Sequence, residues 1–327
     1  LNNIFQKTET EKLENKNVKE HIPQILLKQN MYQHNKPENK FIDKSNTDIA
    51  IIGIAGKYPQ AQNITEYWEN LCVGKDCITE IPMERWDYHD YFSDDKTKIG
   101  KTYSKWGGFL DDFDTFDPMF FHIPPAEAKF LDPQERLFIQ SVWEALEDAG
   151  YTRKALKKEK VGVFVGSMYS LYQLYQMQVP DGILVGSSSY ASIANRISYL
   201  FDFNGPSITL DTMCSSSLTA IYLACENIRS GATTMAVAGG VNLSIHPQKY
   251  IQLCQSGFLS TDGKCKSFGI GGDGYVPGEG VGAVLLKTLD RAVEDKDHIY
   301  GVIKGIEINA GGKVSGYTVP NQNAQKN

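Results

Sequence analysis

No uninterrupted apolar run in the 327 residues approaches the roughly 20 that a membrane-crossing helix needs, and that class is removed at the outset. A basic surplus is missing too. Against 39 Asp and Glu stand 33 Lys and Arg, a net charge of −6, so no positive field invites nucleic acid or anionic lipid. There is no CxxC pair and no Cys/His cluster at zinc spacing, so no metal site is expected, although cysteines occur at 72, 77, 214, 225, 254 and 265. With no apolar leader at the N-terminus, these thiols read as reduced cysteines of a cytoplasmic protein. Five of them are expected to be small buried hydrophobes. The chain also lacks an initiator Met, which suggests a segment of a longer polypeptide.

What is present is ordinary globular composition, 41% hydrophobic and 22% charged, with length enough for one large α/β domain. Residues 1–46 are rich in Lys, Asn, Glu and Gln and carry one apolar stretch, over 22–27. Such a segment cannot bury enough surface to fold alone and reads as a flexible inter-domain linker. The pattern changes at Asp48. IAIIGIAG over 49–56 is a continuous apolar run ending in glycine, the mark of a strand buried on both faces. Similar runs recur over 161–166, 207–211, 235–240 and 281–287.

Helical patterns separate them. The clearest opens with Asp132 as cap, Pro133 in the first position and Glu135 facing the helix dipole. Its stripe of Leu137, Phe138, Val142, Ala145, Leu146 and Ala149 is stopped by Gly150. Buried strands alternating with amphipathic helices predict an α/β fold around a central sheet.

The densest chemical signal is GPSITLDTMCSSSLTA over 205–220. A strand runs to Asp211, and a helix begins just after Cys214, with Leu218, Ile221, Ala224, Cys225 and Ile228 on one face and Gly231 at its end. Cys214 is thereby placed on a strand-to-helix turn at a helix N-terminus. Unpaired N–H groups and the positive dipole end favour a thiolate there. The same amides suit a developing oxyanion when that thiolate attacks a thioester. A competing reading makes Cys214 a structural residue at a helix start capped by Ser216 or Thr212. Asp211 and Glu279 read as turn and loop hydrogen-bonders rather than as acids or bases.

DTMCSSSL following GPS resembles the active-cysteine motif of the β-ketoacyl synthases, and other segments match that family in order. DIAIIGIAGKYP resembles its first strand and glycine turn. WGGFLDDFDTFDPMFFHIPPAEAKFLDPQERL resembles the segment ending in its DPQ-R-L pattern. ASIANRISYLFDFNGPS, SGFLSTDGKCKSF and GDGYVPGEGVGAVLLK supply the remainder. The likeness spans about 47–327 and points to ketosynthase domains of modular type I polyketide synthases. The ending INAGGKVSGYTVPNQNAQ is most similar to modules that borrow a free-standing acyltransferase.

The resemblance implies a thiolase-like layered αβαβα fold. Residues 47–296 would form the cysteine-bearing N-terminal half, and 297–327 would begin a C-terminal half. It implies that Cys214 takes an acyl chain from the phosphopantetheine of an acyl carrier protein. Malonyl carrier protein is then decarboxylated and condensed to a β-ketoacyl product. No cofactor is bound directly. The expected partners are acyl carrier protein domains, neighbouring synthase domains and a second copy in a homodimer.

Two family histidines, in His-Gly-Thr and Asn-His-Gly contexts, serve the condensation, and neither motif occurs in these residues. His21, His34, His89, His122, His246 and His298 read as surface or satisfied polar groups. With the second half only begun, the chain alone is expected to expose apolar surface and to be poorly soluble.

The glycine-dense segment 269–280 lacks P-loop and dinucleotide signatures and reads as a loop needing positive φ and close packing. Its neighbour Phe268 is a candidate for shaping the acyl pocket, although Gly269 and Gly272 replace the family's usual Asp and Ala. Met213 stands where Ala is usual. It would either tune which acyl chain fits or simply pack at an interface. Three other functions compete with an elongating ketosynthase: a non-elongating acyl-transfer domain, a cysteine hydrolase pairing Cys214 with His246 or His298, and a structural dimerisation piece.

Overall fold

The computed structural model describes residues 47–179 and 182–326, so the expected linker over 1–46 lies outside the described residues. All five apolar runs form strands of one sheet: β1 (Ile49–Lys57), β2 (Val161–Gly166), β3 (Ser207–Leu210), β4 (Met235–Asn242) and β5 (Gly280–Thr288). A short sixth, β6 (Gly301–Ile303), pairs antiparallel with β1, setting Ile49 opposite Ile303. The order across the sheet is β6-β1-β5-β4-β2-β3. β2 is parallel to both β3 and β4, whereas β5 is antiparallel to β4 and β1. The three parallel strands therefore end on one edge, at Gly166, Leu210 and Asn242. In α/β sheets that edge is where ligands bind.

The central strands β2 and β4 are buried on both faces, and their period-2 alternation shows how, whereas β3, expected from its run to be buried likewise, is an edge strand with no buried residue. Val163 and Val165 of β2 join one core with Val237 of β4, while Phe164, Ala236 and Ala238 point into another. On the first face pack α1 (Pro133–Asp148) and α2 (Tyr190–Phe201), through Leu137, Phe138, Val142 and Ile197. Asp132 caps α1 as the sequence predicts, its carboxylate accepting from the Gln134 N–H at 2.9 Å, and Gly150 beyond the helix sits at φ 72°. On the second face lies α3 (Ser216–Arg229), packed on β2 and β4 through Ala220, Ala224, Cys225 and Ile228. Small side chains on both partners bring this helix close to the sheet.

Two expectations need correction. Leu218, assigned to the buried face of α3, lies in its first turn and is 65% exposed. Of the five cysteines expected to be buried, only Cys225 and Cys254 are. Cys72 closes a surface helix (Ile64–Cys72) with no buried residue, and Cys265 belongs to an exposed loop where its sulfur accepts from the Val276 N–H. Among the described residues no helix is long and apolar enough to cross a membrane.

Candidate active site

Between β3 and α3 the chain turns through 211–215, and the turn is held by its own side chains. The Asp211 carboxylate accepts from the Met213 N–H at 2.8 Å. The buried Ser216 hydroxyl accepts from the Thr212 N–H at 2.9 Å and donates to the Met213 carbonyl at 2.6 Å. Thr212 exchanges hydroxyl hydrogen bonds with Ser215 and Thr219, both at 3.0 Å. Asp211 is thus a turn hydrogen-bonder, as the sequence predicts.

These bonds hold Met213 at φ 59°, in the left-handed region that costs an L-residue about 1 kcal/mol. The kink was not foreseen from the sequence. It ends the strand direction abruptly and leaves Cys214 exposed, one residue ahead of the helix cap Ser215.

Cys214 and Met213 both line a cavity of about 650 Å³ at the C-terminal edge of the parallel strands. Its floor includes Gly166 of β2 and Gly239 and Gly240 of β4. Its far wall is the loop that runs from Tyr275 into β5. Phe268 is not brought to this wall. It stands fully exposed on the preceding loop at φ 61°. The loop itself fits the glycine reading: Gly271 adopts φ 76°, and Gly274 lies so close to Leu259 that a Cβ would come 2.2 Å from its carbonyl carbon.

The wall is anchored by Glu279, which the sequence marks as a loop-holder. One carboxylate oxygen accepts from Arg85 at 2.7 Å and from the Leu110 N–H at 2.9 Å, and the other from the Ser244 N–H at 2.8 Å. Both partners of this ion pair are almost wholly buried.

Three further groups at the cavity carried no sequence signal. Burial, then the nearby Cys214 thiol and Asp211, push the Tyr169 phenol upward. Burial, followed by Tyr169 and Cys214, raises Tyr275 to about 12. Lys249, on α4 (Pro247–Gln255), is 3% exposed, and its amine donates to Asn242 Oδ1 at 2.7 Å and the Leu243 carbonyl at 3.0 Å. No carboxylate pairs with it among the described residues. Loss of hydration lowers it to about 7, partly opposed by the field of Glu279. Nothing in the segment HPQKY marks this lysine, and only the fold shows it turned inward.

Lys249 makes stability depend on pH. Its folded value lies below the unfolded 10.5, so the unfolded chain binds the extra proton between about pH 7 and 10.5, and stability rises with pH across that window. The melting temperature of the wild type, measured relative to Lys249→Met, should climb from pH 7 to 9.5. A flat difference would mean that the amine keeps its proton throughout.

Among the described residues no histidine lines the cavity. His246 instead caps α4, its Nδ1 accepting from the Gln248 N–H at 3.2 Å, and His298 lies against the Tyr300 ring. The hydrolase reading loses the base it would require.

Residues 46–292 match the family model described as the beta-ketoacyl synthase, N-terminal domain. Polyketide synthase PksL of Bacillus subtilis is 60% identical over 94% of this chain, and polyketide synthase ThaG of Burkholderia thailandensis 55% over 84%. The chain spans only 7% and 5% of those proteins. Two solved structures share the fold. The oxazolomycin ketosynthase domain OzmH KS7 of Streptomyces albus has a TM-score of 0.82 at 54% identity. The ketosynthase from module 6 of the bacillaene synthase of Bacillus subtilis has 0.78 at 43%. Each is matched over 85% of this chain, which covers 49% and 47% of theirs.

The chain belongs to the beta-ketoacyl synthase family. More particularly, it is ketosynthase-domain sequence of the polyketide synthase kind, with the thiolase-like α/β fold of those structures.

Proposed function

We propose that Cys214 is the nucleophile that accepts an acyl chain from the phosphopantetheine arm of an acyl carrier protein. The observation that carries this reading is the kinked, self-bonded turn at Met213, which sets the thiol at a helix start and at the wall of the cavity. The sulfur attacks the thioester carbonyl, the pantetheine sulfur leaves with the proton, and the chain stays on Cys214 as a thioester. Donors at the helix start are suited to the transient oxyanion. In the second step malonyl carrier protein loses CO2, its carbanion attacks the bound acyl carbon, and Cys214 is released with a β-ketoacyl product. The histidines of that step are expected in motifs that these residues do not contain.

In this reading 1–46 is an inter-domain linker, 47–296 the cysteine-bearing half and 297–327 the beginning of the second half of a cytoplasmic, modular synthase, of the kind served by a free-standing acyltransferase. Met213 flanks the incoming chain. A homodimer is supported by the open edge of β3, on which Ile208 is exposed, and by the exposed Tyr199 of α2 and Leu218 of α3.

Intact-mass analysis after incubation with an acyl-pantetheine thioester tests the first step. One acyl adduct is expected on the wild-type ketosynthase domain and none on Cys214→Ala. An adduct that survives the substitution would move the nucleophile elsewhere.

A further inference from the structure

Two groups in the cavity wall have hydrogen-bonding capacity that the protein leaves unused. Asn242 and Leu243 take two positions of the Lys249 amine and leave one free, a third N–H when it is protonated and a lone pair when it is neutral. The Asn242 acceptor is fixed in place, because its amide nitrogen is committed to the Gly278 carbonyl at 2.7 Å. The amine also lies 4.7 Å from the centre of the Tyr169 ring, on the segment that follows β2. On that segment is the second group. Ser167 is 2% exposed and lines the same cavity, yet its hydroxyl has no hydrogen-bond partner among the described residues.

A buried amine with a free position and a buried hydroxyl with no partner each cost free energy unless something completes them. The cavity that both line is the one Cys214 opens on. Nothing in the loading chemistry at Cys214 uses either group.

We infer that Lys249 and Ser167 are specificity-determining residues that take up an oxygen of the acyl chain, so that the site selects keto- or hydroxyl-bearing chains over fully reduced ones. The selectivity follows from the asymmetry of polar sites. A pocket built to hydrogen-bond an oxygen rejects the chain lacking it, because its own buried groups then stay unpaired. The inference rests on Cys214 as the acylated residue.

The test compares rates of Cys214 acylation by 3-hydroxybutanoyl- and butanoyl-pantetheine in the intact ketosynthase domain, read by intact mass. The wild type should prefer the hydroxylated chain. At about pH 6, where the amine holds its proton, Lys249→Met should lower that preference about ten-fold, the size expected for a hydrogen bond to a charged donor. Ser167→Ala should lower it several-fold while leaving the melting temperature intact, since the hydroxyl bonds nothing in the protein.

A wild type with no preference, or variants in which both rates move together, would overturn the inference. If Lys249→Met does not fold, Ser167→Ala decides by the same ratio. A wild type that accepts neither thioester would overturn the reading of Cys214, and this inference with it.

Discussion

Glu279→Gln should cost about 3–5 kcal/mol of stability, the range for removing one member of a buried ion pair. The change keeps the shape and removes the charge. One of the two oxygens becomes an NH2, and the carboxylate's three partners are all donors: the Arg85 guanidinium, the Leu110 N–H and the Ser244 N–H. At least one buried donor is left facing another. Arg85 has few alternatives. Its Nη2 also reaches the Leu110 carbonyl at 2.7 Å and its guanidinium stacks 3.2 Å from the centre of the Phe113 ring, but its Nε already lacks a partner among the described residues.

Urea denaturation of the ketosynthase domain checks the cost through the shift in midpoint at constant slope. The double variant Arg85→Met/Glu279→Gln should recover part of the loss, because an uncompensated charge is then no longer buried. A loss below 1 kcal/mol in the single variant would mean that Arg85 finds another acceptor. Since the carboxylate joins the loop before β5 to the segments at 108–110 and 243–244, the loosened variant should also lose definition of the cavity wall at Pro277 and Gly278.

The contrast between Glu279 and Lys249 shows what a single sequence can disclose about such a site. The central strands β2 and β4 stand out as apolar runs, because a strand covered on both faces must be apolar at successive positions, whereas β3, at the edge, alternates Ser-Ile-Thr-Leu. The start of α1 was equally plain, since a cap, a proline and a glycine stop act within a few residues of one another. Cys214 was marked by its neighbours in sequence for the same reason: the turn that presents it is closed by Asp211, Thr212, Ser215 and Ser216.

What stayed hidden depends on residues far apart in the chain. Glu279 meets an arginine 194 positions away, and the Lys249 amine, besides bonding the nearby Asn242 and Leu243, faces the ring of Tyr169 from a distant segment. The orphaned hydroxyl of Ser167 shows itself only once a fold exists in which to look for partners. The reverse also occurs. Leu218 fits an apolar helical face in sequence, yet the fold leaves it exposed in the first turn. Periodicity finds the face of a helix but not where the sheet beneath it ends.

Gly166→Ala should slow acylation of Cys214 by about 100-fold, the cost of a misplacement of roughly 1 Å at a reacting group. The position is the last residue of β2, directly beneath the first turn of α3. A Cβ there would lie 2.5 Å from the Ser216 carbonyl carbon and the Ser217 nitrogen, and 2.8 Å from the Ser216 oxygen. All three are backbone atoms, so no side chain can swing aside, and either the strand end or the helix start has to move. The strand is the stiffer of the two. It is paired on both sides, with Gly166 opposite Leu210 on one and Gly240 on the other. The helix start yields instead, and it carries the Ser216 bonds that close the Met213 kink. Displacing it moves the thiol and the helix-start donors together.

The accompanying loss of stability should be only about 1–3 kcal/mol, as for a single overpacked methyl, so the variant should fold and fail chiefly in rate. Acyl-adduct formation followed by intact mass, with the melting temperature measured alongside, separates the two effects. An adduct rate equal to wild type would show that α3 accommodates the methyl without shifting Cys214, and that the close approach of helix to strand serves packing alone.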